Sequence, residues 1–214
     1  MQVRGTGLIL RTRPLTETSL IVHWLTPDHG RVATVAKGAR RAKSPFAGKL
    51  DLFHVADFAF ARSRRSDLHT LREVVLHGTF PALRTDLRRL HRAAYLVRCV
   101  EAATETETPL PGVHALVMEA LRQIAGPGGR PETVLAFELR LLGELGLAPR
   151  LDRDSLPRPG ARELAGRLAT APWPEITAAP ADRDATEAVA RFLHGFLIYH
   201  LERLPPGRGE ALTP

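Results

Sequence analysis

Five cations follow one another on a single stretch of this chain. Lys37, Arg40, Arg41, Lys43 and Lys49 are spaced largely by Gly, Ala and Ser, with no carboxylate between Asp28 and Asp51. Cations at this density neutralise anions, setting ammonium and guanidinium groups against phosphates and displacing the counterions that phosphates carry. The stretch leaves a strand at about Ala36, and the next strand-like segment begins only near Leu50. Excursions of that length are usually functional or disordered, and this one is expected to carry charge from a rigid sheet edge into a mobile loop.

The charge balance of the whole chain points the same way. Residues 1 to 80 hold 13 Lys and Arg against 6 Asp and Glu, whereas residues 81 to 214 hold 17 of each, so the net +7 resides in the first third. All three lysines fall between positions 37 and 49. Such asymmetry attracts polyanions. A hydrophobic content of 44% over 214 residues belongs to a folded globular protein. There is no apolar run of the roughly 20 residues a membrane helix needs, and no apolar core of a signal peptide near Met1, so a cytoplasmic location is expected. The single cysteine, Cys99, lies among Leu96, Val97 and Val100 and reads as a packed apolar side chain; one cysteine makes neither an internal disulfide nor a multi-cysteine metal site.

Catalytic constellations are missing. The nine histidines are scattered, and His194 and His200 are six apart, off one helical face. Residues 126 to 130 are glycine-rich but lack the Lys-Ser/Thr ending and the preceding strand of a phosphate loop. Asp152 and Asp154 alternate with Arg153 and read as a solvated turn. The expectation is a protein that is not an enzyme and holds no metal.

Five segments read as the strands that position the cations: Gly7 to Arg13, Ser19 to Leu25, Arg31 to Ala36, Leu52 to Ala61 and Leu68 to Leu76. Thr26-Pro-Asp-His-Gly30 has turn chemistry and makes a hairpin of the second and third. Short strands at hairpin spacing suggest a small closed barrel, because closure removes exposed edges. The pattern changes at Pro81. Leu83, Leu87, Leu90, Ala94, Val97 and Val100 recur at helical spacing, and the helix frays over Thr104 to Pro111. Further helices are expected over Gly112 to Ile124, Pro131 to Leu145 and Arg183 to Leu204, with a break at Gly126 to Gly129. Residues 148 to 181, rich in Pro, Gly and Arg, read as an irregular segment with one short helix at Ala161 to Leu168. The fold class is α+β, a five-stranded β-barrel domain over 1–80 followed by an α-helical bundle domain over 81–214.

Four motifs in this order, Gly7-Leu-Ile-Leu-Arg-Thr-Arg, Glu17-Thr-Ser-Leu-Ile-Val, His29-Gly-Arg with Lys37-Gly-Ala-Arg-Arg, and Asp67-Leu-His-Thr-Leu-Arg-Glu, resemble the N-terminal half of the bacterial recombination and repair protein RecO family. The stretch from Glu138 to Pro149 and the closing helix extend the resemblance. It implies an OB-fold followed by a helical bundle. It also implies a recombination mediator that binds single- and double-stranded DNA and anneals complementary strands. With RecR, such a mediator helps load RecA onto DNA coated by single-strand-binding protein (SSB), whose acidic C-terminal tail it contacts. Many members carry a four-cysteine zinc module after the Gly-Leu-Ala-Pro position. This sequence has Asp152-Arg-Asp-Ser-Leu-Pro157 there and no later cysteine, so zinc is not expected.

An OB-type barrel holds single strands through a cationic groove and stacking side chains. Arg11, Arg13, Arg31, Lys37, Arg40, Arg41, Lys43 and Lys49 are the expected groove, and Arg62, Arg64 and Arg65 a second cationic loop. Phe46, inside the basic excursion, and Trp24 are the candidate stackers, with Phe53 and His54 behind them; Phe58 and Phe60 read as core. Two function classes follow, a nucleic-acid-binding mediator and an adaptor that recognises an acidic peptide. The Lys37 to Lys49 excursion discriminates them, since a short peptide needs only one or two of its cations.

Overall fold

The computed structural model describes residues 2–126, 129–178, 181–202 and 204–214. Parts of the expected break at 126–129, of the 148–181 segment and of the closing helix therefore lie outside the described residues. Five strands, β1 (Gln2–Pro14), β2 (Leu20–Thr26), β3 (Gly30–Ala36), β4 (Val55–Ala61) and β5 (Leu68–Gly78), close into a barrel in the order β1-β2-β3-β5-β4. All pairings are antiparallel except the closing one, where β3 and β5 run parallel through Ala33↔Leu68, Thr34↔His69 and Val35↔Thr70. This is the expected OB-type barrel.

Period-two alternation decides which side chains fill it. Ile9, Val22, Trp24, Val32, Phe58, Phe60, Leu71 and Val74 point into one buried cluster. Its centre is a file of rings, with Trp24 stacked on Phe58 at 4.1 Å, Phe58 on Phe60 at 5.7 Å and Phe60 on His69 at 5.0 Å. The buried indole N–H is satisfied by Thr34 Oγ1 at 2.9 Å. Gly7 lets β1 pass close to this file, since a Cβ there would stand 3.0 Å from the Leu25 carbonyl and 3.2 Å from the Phe58 ring. Leu10 is an extra residue in β1, a bulge between the pairs Ile9↔Trp24 and Arg11↔His23. The bulge turns Arg11 and Arg13 outward after four successive buried residues, Gly7 to Leu10.

The excursion after β3 is not an open loop. It is a series of tight turns, closed by Arg41 N–H to Gly38 O, Ser44 N–H to Arg41 O, Ala47 N–H to Ser44 O and Lys49 N–H to Phe46 O, each at 3.1 Å. Phe46 plugs it into the barrel cluster and is only 7% exposed. At its start, Arg40 donates from its backbone to Thr18 O at 3.0 Å and from its side chain to Thr16 O at 3.2 Å.

Eight helices are present among the described residues: α1 (Ala82–Thr85), α2 (Leu87–Ala103), α3 (Pro111–Ala125), α4 (Pro131–Glu144), α5 (Pro159–Thr170), α6 (Trp173–Ala178), α7 (Arg183–Leu201) and α8 (Arg208–Ala211). The long helix expected from Ala82 is broken at Asp86, whose backbone is extended and whose carboxylate accepts the N–H groups of Arg88 and Arg89. The 148–181 segment carries two helices, α5 and α6, where one short helix in irregular chain was expected. Pro and Gly misled that reading, because Pro159 opens α5 at its first turn, where a missing N–H costs nothing. Two compact units divide the chain, residues 1–80 with 104–115, and residues 81–103 with 116–214. The barrel unit thus takes in a later segment that sequence spacing assigned to the helical domain.

In the helical unit, Leu135, Leu139 and Leu142 of α4 bury against Leu164 and Leu168 of α5 and Val189, Leu193 and Leu197 of α7. Beside this cluster lies a fully buried polar triad. Arg208 grips Glu138 through two bonds of 2.7 and 2.8 Å, and Tyr95 donates its hydroxyl to the same carboxylate at 2.6 Å. Removing one partner of such a pair strands a buried charge. Glu138→Ala is expected to cost about 3 to 5 kcal/mol of stability, measured by chemical denaturation; a loss below about 1 kcal/mol would contradict the assignment of the triad as a structural lock.

Candidate nucleic-acid interface

Outward residues of β1, β2 and β3 form a lattice that the register defines. Arg11, His23 and Ala33 lie side by side across the three strands, and Arg13, Ile21 and Val35 form the next row. Arg31, paired with Leu25, stands toward the other end of β3. Arg13 is exposed, and Arg11, Ile21, His23, Arg31, Ala33 and Val35 are half-buried. Beyond the Leu20↔Ala36 pair, the chain leaves the sheet into the excursion, where Lys37, Arg40, Arg41 and Lys43 are exposed and Lys49 is half-buried. Sheet cations and excursion cations therefore form one continuous field, although Arg11 and Lys43 are far apart in sequence.

His23 registers that field. Burial, followed by the charges of Arg11, Arg13 and Arg31, pushes its imidazole pKa down to about 4. The ring is neutral at pH 7, and it stands amid three guanidinium groups drawn from two strands. Sequence reading placed His23 in β2 without giving it a role. The signal was present in the alternation, since Val22 and Trp24 inward require Ile21 and His23 outward.

Two of the expected DNA-binding arginines hold a strap. The segment 104–108 runs against the barrel at Gly30, whose φ of 64° only glycine adopts easily and whose Cβ would fall 2.1 Å from the Thr108 carbonyl. Arg31 donates to Thr104 Oγ1 at 2.9 Å and to Thr104 O at 2.5 Å, and its own carbonyl accepts the Glu107 N–H at 2.9 Å. Glu107 adopts a left-handed backbone (φ 55°) and directs its carboxylate to Arg62 and to His69, each at 2.5 Å. The Ser63 N–H donates to His69 Nδ1, so neutral His69 carries its proton on Nε2 and donates it to Glu107. Burial raises the Glu107 pKa, but the bonds from His69 and Arg62 outweigh that and hold it below the usual carboxylate range. Arg64 and Arg65 stay exposed in the turn that joins β4 to β5.

Both candidate stackers are corrected by the structure. Trp24 is fully buried between Phe58 and Thr34, and Phe46 is the plug of the excursion. A small barrel must fill its interior, and these two rings are part of the filling. Phe53 and His54 are buried too, whereas Phe58 and Phe60 are core as expected.

The outer face of β4 and β5 differs from the cationic one. A groove of about 420 Å³ there is lined by Arg4, Asp28, Asp57 and Glu73 among others. Three of these charges pair, Arg4 with Glu73 at 3.7 Å and Asp57 with His77 at 2.6 Å. The barrel thus separates a mixed-charge face from a cationic one. No group of three or more His, Cys, Asp or Glu able to hold a metal ion occurs among the described residues. Where many family members would carry the four-cysteine module, Asp152 closes a turn by accepting the Ser155 N–H at 2.9 Å, a donor set that does not fit a four-thiolate site. No described helix is long and apolar enough to cross a membrane.

Comparison with known proteins matches residues 1–80 to the family model described as recombination protein O N terminal, and residues 84–159 to recombination protein O C terminal. The chain is similar to the DNA repair protein RecO of Rhodopirellula baltica, at 36% identity over 147 residues, covering 69% of this chain and 54% of that protein. Proteins of the same name from Symbiobacterium thermophilum and Bacillus subtilis are 37% and 29% identical, over 68% and 71% of this chain and 57% and 59% of theirs. The matched stretch therefore spans less than two thirds of these relatives.

The His23 environment sets a pH dependence. Between pH 6.5, the ordinary imidazole value, and about 4, the unfolded chain binds a proton that the folded chain refuses, so stability falls as pH drops through that window. The His23 ring resonances, followed by NMR, are expected to titrate near pH 4, and His23→Gln to flatten the stability loss between those pH values. Titration near 6.5 would mean a ring neither buried nor beside the arginines.

Proposed function

The chain belongs to the recombination protein O family of DNA repair proteins, and on that premise we propose that its barrel binds DNA through the continuous cationic field of β1, β2, β3 and the excursion. The observation that carries this reading is preorganisation. Lys37, Arg40, Arg41 and Lys43 are exposed on a stretch of turns held by Phe46 and by the Arg40 bonds to the β1–β2 turn. Cations whose backbone is already fixed lose little further freedom when phosphates arrive.

The reading extends to what such a surface does. Neutralising two backbones at once lowers the repulsion between complementary strands, which is the physical requirement for annealing. Single- and double-stranded DNA are both ligands, because phosphate binding does not depend on base sequence. The protein acts with RecR to load RecA onto DNA coated by SSB, in the cytoplasm where the nucleoid lies. It performs no bond-making step and uses no zinc. The SSB tail is a partner of the helical unit. A groove of about 400 Å³ there combines Arg158 and Arg191 with Leu156 and Phe192, the chemistry an acidic peptide with apolar residues requires. The adaptor function is thus an added role of the helical unit, and the barrel field has far more cations than a short peptide can use.

Replacing Arg41 and Lys43 together by Ala, which leaves the Arg40 bond to Thr16 in place, tests the assignment. Anisotropy of a labelled single-stranded oligonucleotide, titrated at several salt concentrations, should show weaker binding. The log-log salt slope should be shallower by about 0.7 for each phosphate that is no longer neutralised, with the melting temperature unchanged. Unchanged affinity in a folded double variant would contradict it.

A further inference from the structure

Single-stranded nucleic acid needs something that duplex does not, a flat surface for an unstacked base set among cations for the flanking phosphates. The rings first expected to supply it are inside the barrel. Trp24, Phe46, Phe53, Phe58, Phe60, His54 and His69 are all buried. His29 lies in the β2–β3 turn with its Nε2 on the Arg4 carbonyl, and His77 pairs with Asp57 on the mixed-charge face. Among the rings carried by the described residues of β1 to β5, that of His23 is the one the register sets on the cationic face.

We propose that His23 is the stacking platform for a base of a single strand, with Ile21, Ala33 and Val35 as its apolar surround and Arg11 and Arg13 holding the flanking phosphates. This rests on the reading that the barrel binds DNA and adds which form of DNA the face selects. The register sets Ala33, a single methyl, directly beside His23 on β3 and Arg11 directly beside it on β1, so its nearest neighbour across β3 is small. Ile21 and Val35 are directly paired in the adjacent outward row and are half-buried, which continues the apolar surface along β2 and β3. Arg13, beside Ile21, is exposed at the edge of that row. A face with an apolar centre and cationic margin takes bases inward and phosphates outward. Duplex DNA, whose bases are already stacked on one another, can use only the margin.

Titration of the full chain with a labelled single strand and with a duplex of the same sequence separates the possibilities. His23→Ala is expected to weaken single-strand binding about five-fold or more, the least that one stacked base contributes. Duplex affinity should change less than about two-fold and the salt slope should stay the same, because every cation is still in place. His23→Phe should restore single-strand affinity, since every base has a π face and any planar ring serves. Should His23→Ala fail to fold, His23→Trp replaces it. The emission of the new indole, read against the wild-type chain, should then be quenched by the single strand and not by the duplex. Equal loss on both DNA forms, no loss on either, or an unquenched Trp at position 23 would overturn the platform while leaving the barrel a DNA binder. A wild-type chain that binds neither form would overturn the DNA-binding reading itself.

Discussion

The whole barrel hangs on filling a small closed cylinder with flat rings. Trp24, Phe58, Phe60 and His69 stack one after another through the interior, and β2, β4 and β5, which carry them, cannot shift by one residue without turning a ring into water. Because side chains alternate strictly, fixing Val22 and Trp24 inward fixes Ile21 and His23 outward. Fixing Val32 and Thr34 inward does the same for Arg31, Ala33 and Val35. The cationic lattice is therefore a consequence of the core, and the bulge at Leu10 brings Arg11 and Arg13 into line with it. Phe46 extends the logic to the excursion, where one buried ring orders a stretch that would otherwise wander.

The cations of this chain divide by what holds them. Arg208, buried on Glu138, and Arg92, donating to the Ala211 carbonyl at 3.1 Å, fasten the last residues to the helical unit. Arg31 and Arg62 fasten the 104–108 strap to the barrel, with Glu107 joining Arg62 to His69 at the end of the ring file. On the cationic face, Arg13, Lys37, Arg41 and Lys43 are exposed, Arg40 is exposed while donating to the Thr16 carbonyl at 3.2 Å, and Arg11 and Lys49 are half-buried. A net charge read from composition counts all of these alike, although the first four are occupied by the fold itself.

That division explains how much was legible beforehand. Five strands, the hairpin at Thr26 to Gly30 and the apolar faces of α4 and α7 follow from local periodicity, which the fold preserves. The cationic stretch was legible because its spacing is local too. The strap was not: Thr104-Glu-Thr-Glu-Thr108 carries no periodic signal, and its partners Gly30, Arg31, Arg62 and His69 are between 35 and 78 positions away. Trp24 and Phe46 were open to either side, since an aromatic residue beside cations has the same composition whether it stacks on a base or fills a core. Inward alternation settles Trp24. Only the closed interior, with room for one more ring, settles Phe46.

The central claim is that polyanion binding is confined to one side of the barrel, and amide chemical-shift mapping during titration with a single-stranded oligonucleotide tests it most directly. The account predicts shifts at Arg11, Arg13, Ile21, His23, Ala33 and Val35 and along 37–43, while Asp57, Glu73, Val75 and His77 on the β4–β5 face stay where they are. Shifts centred on that second face, with the β1-β2-β3 lattice unmoved, would contradict it.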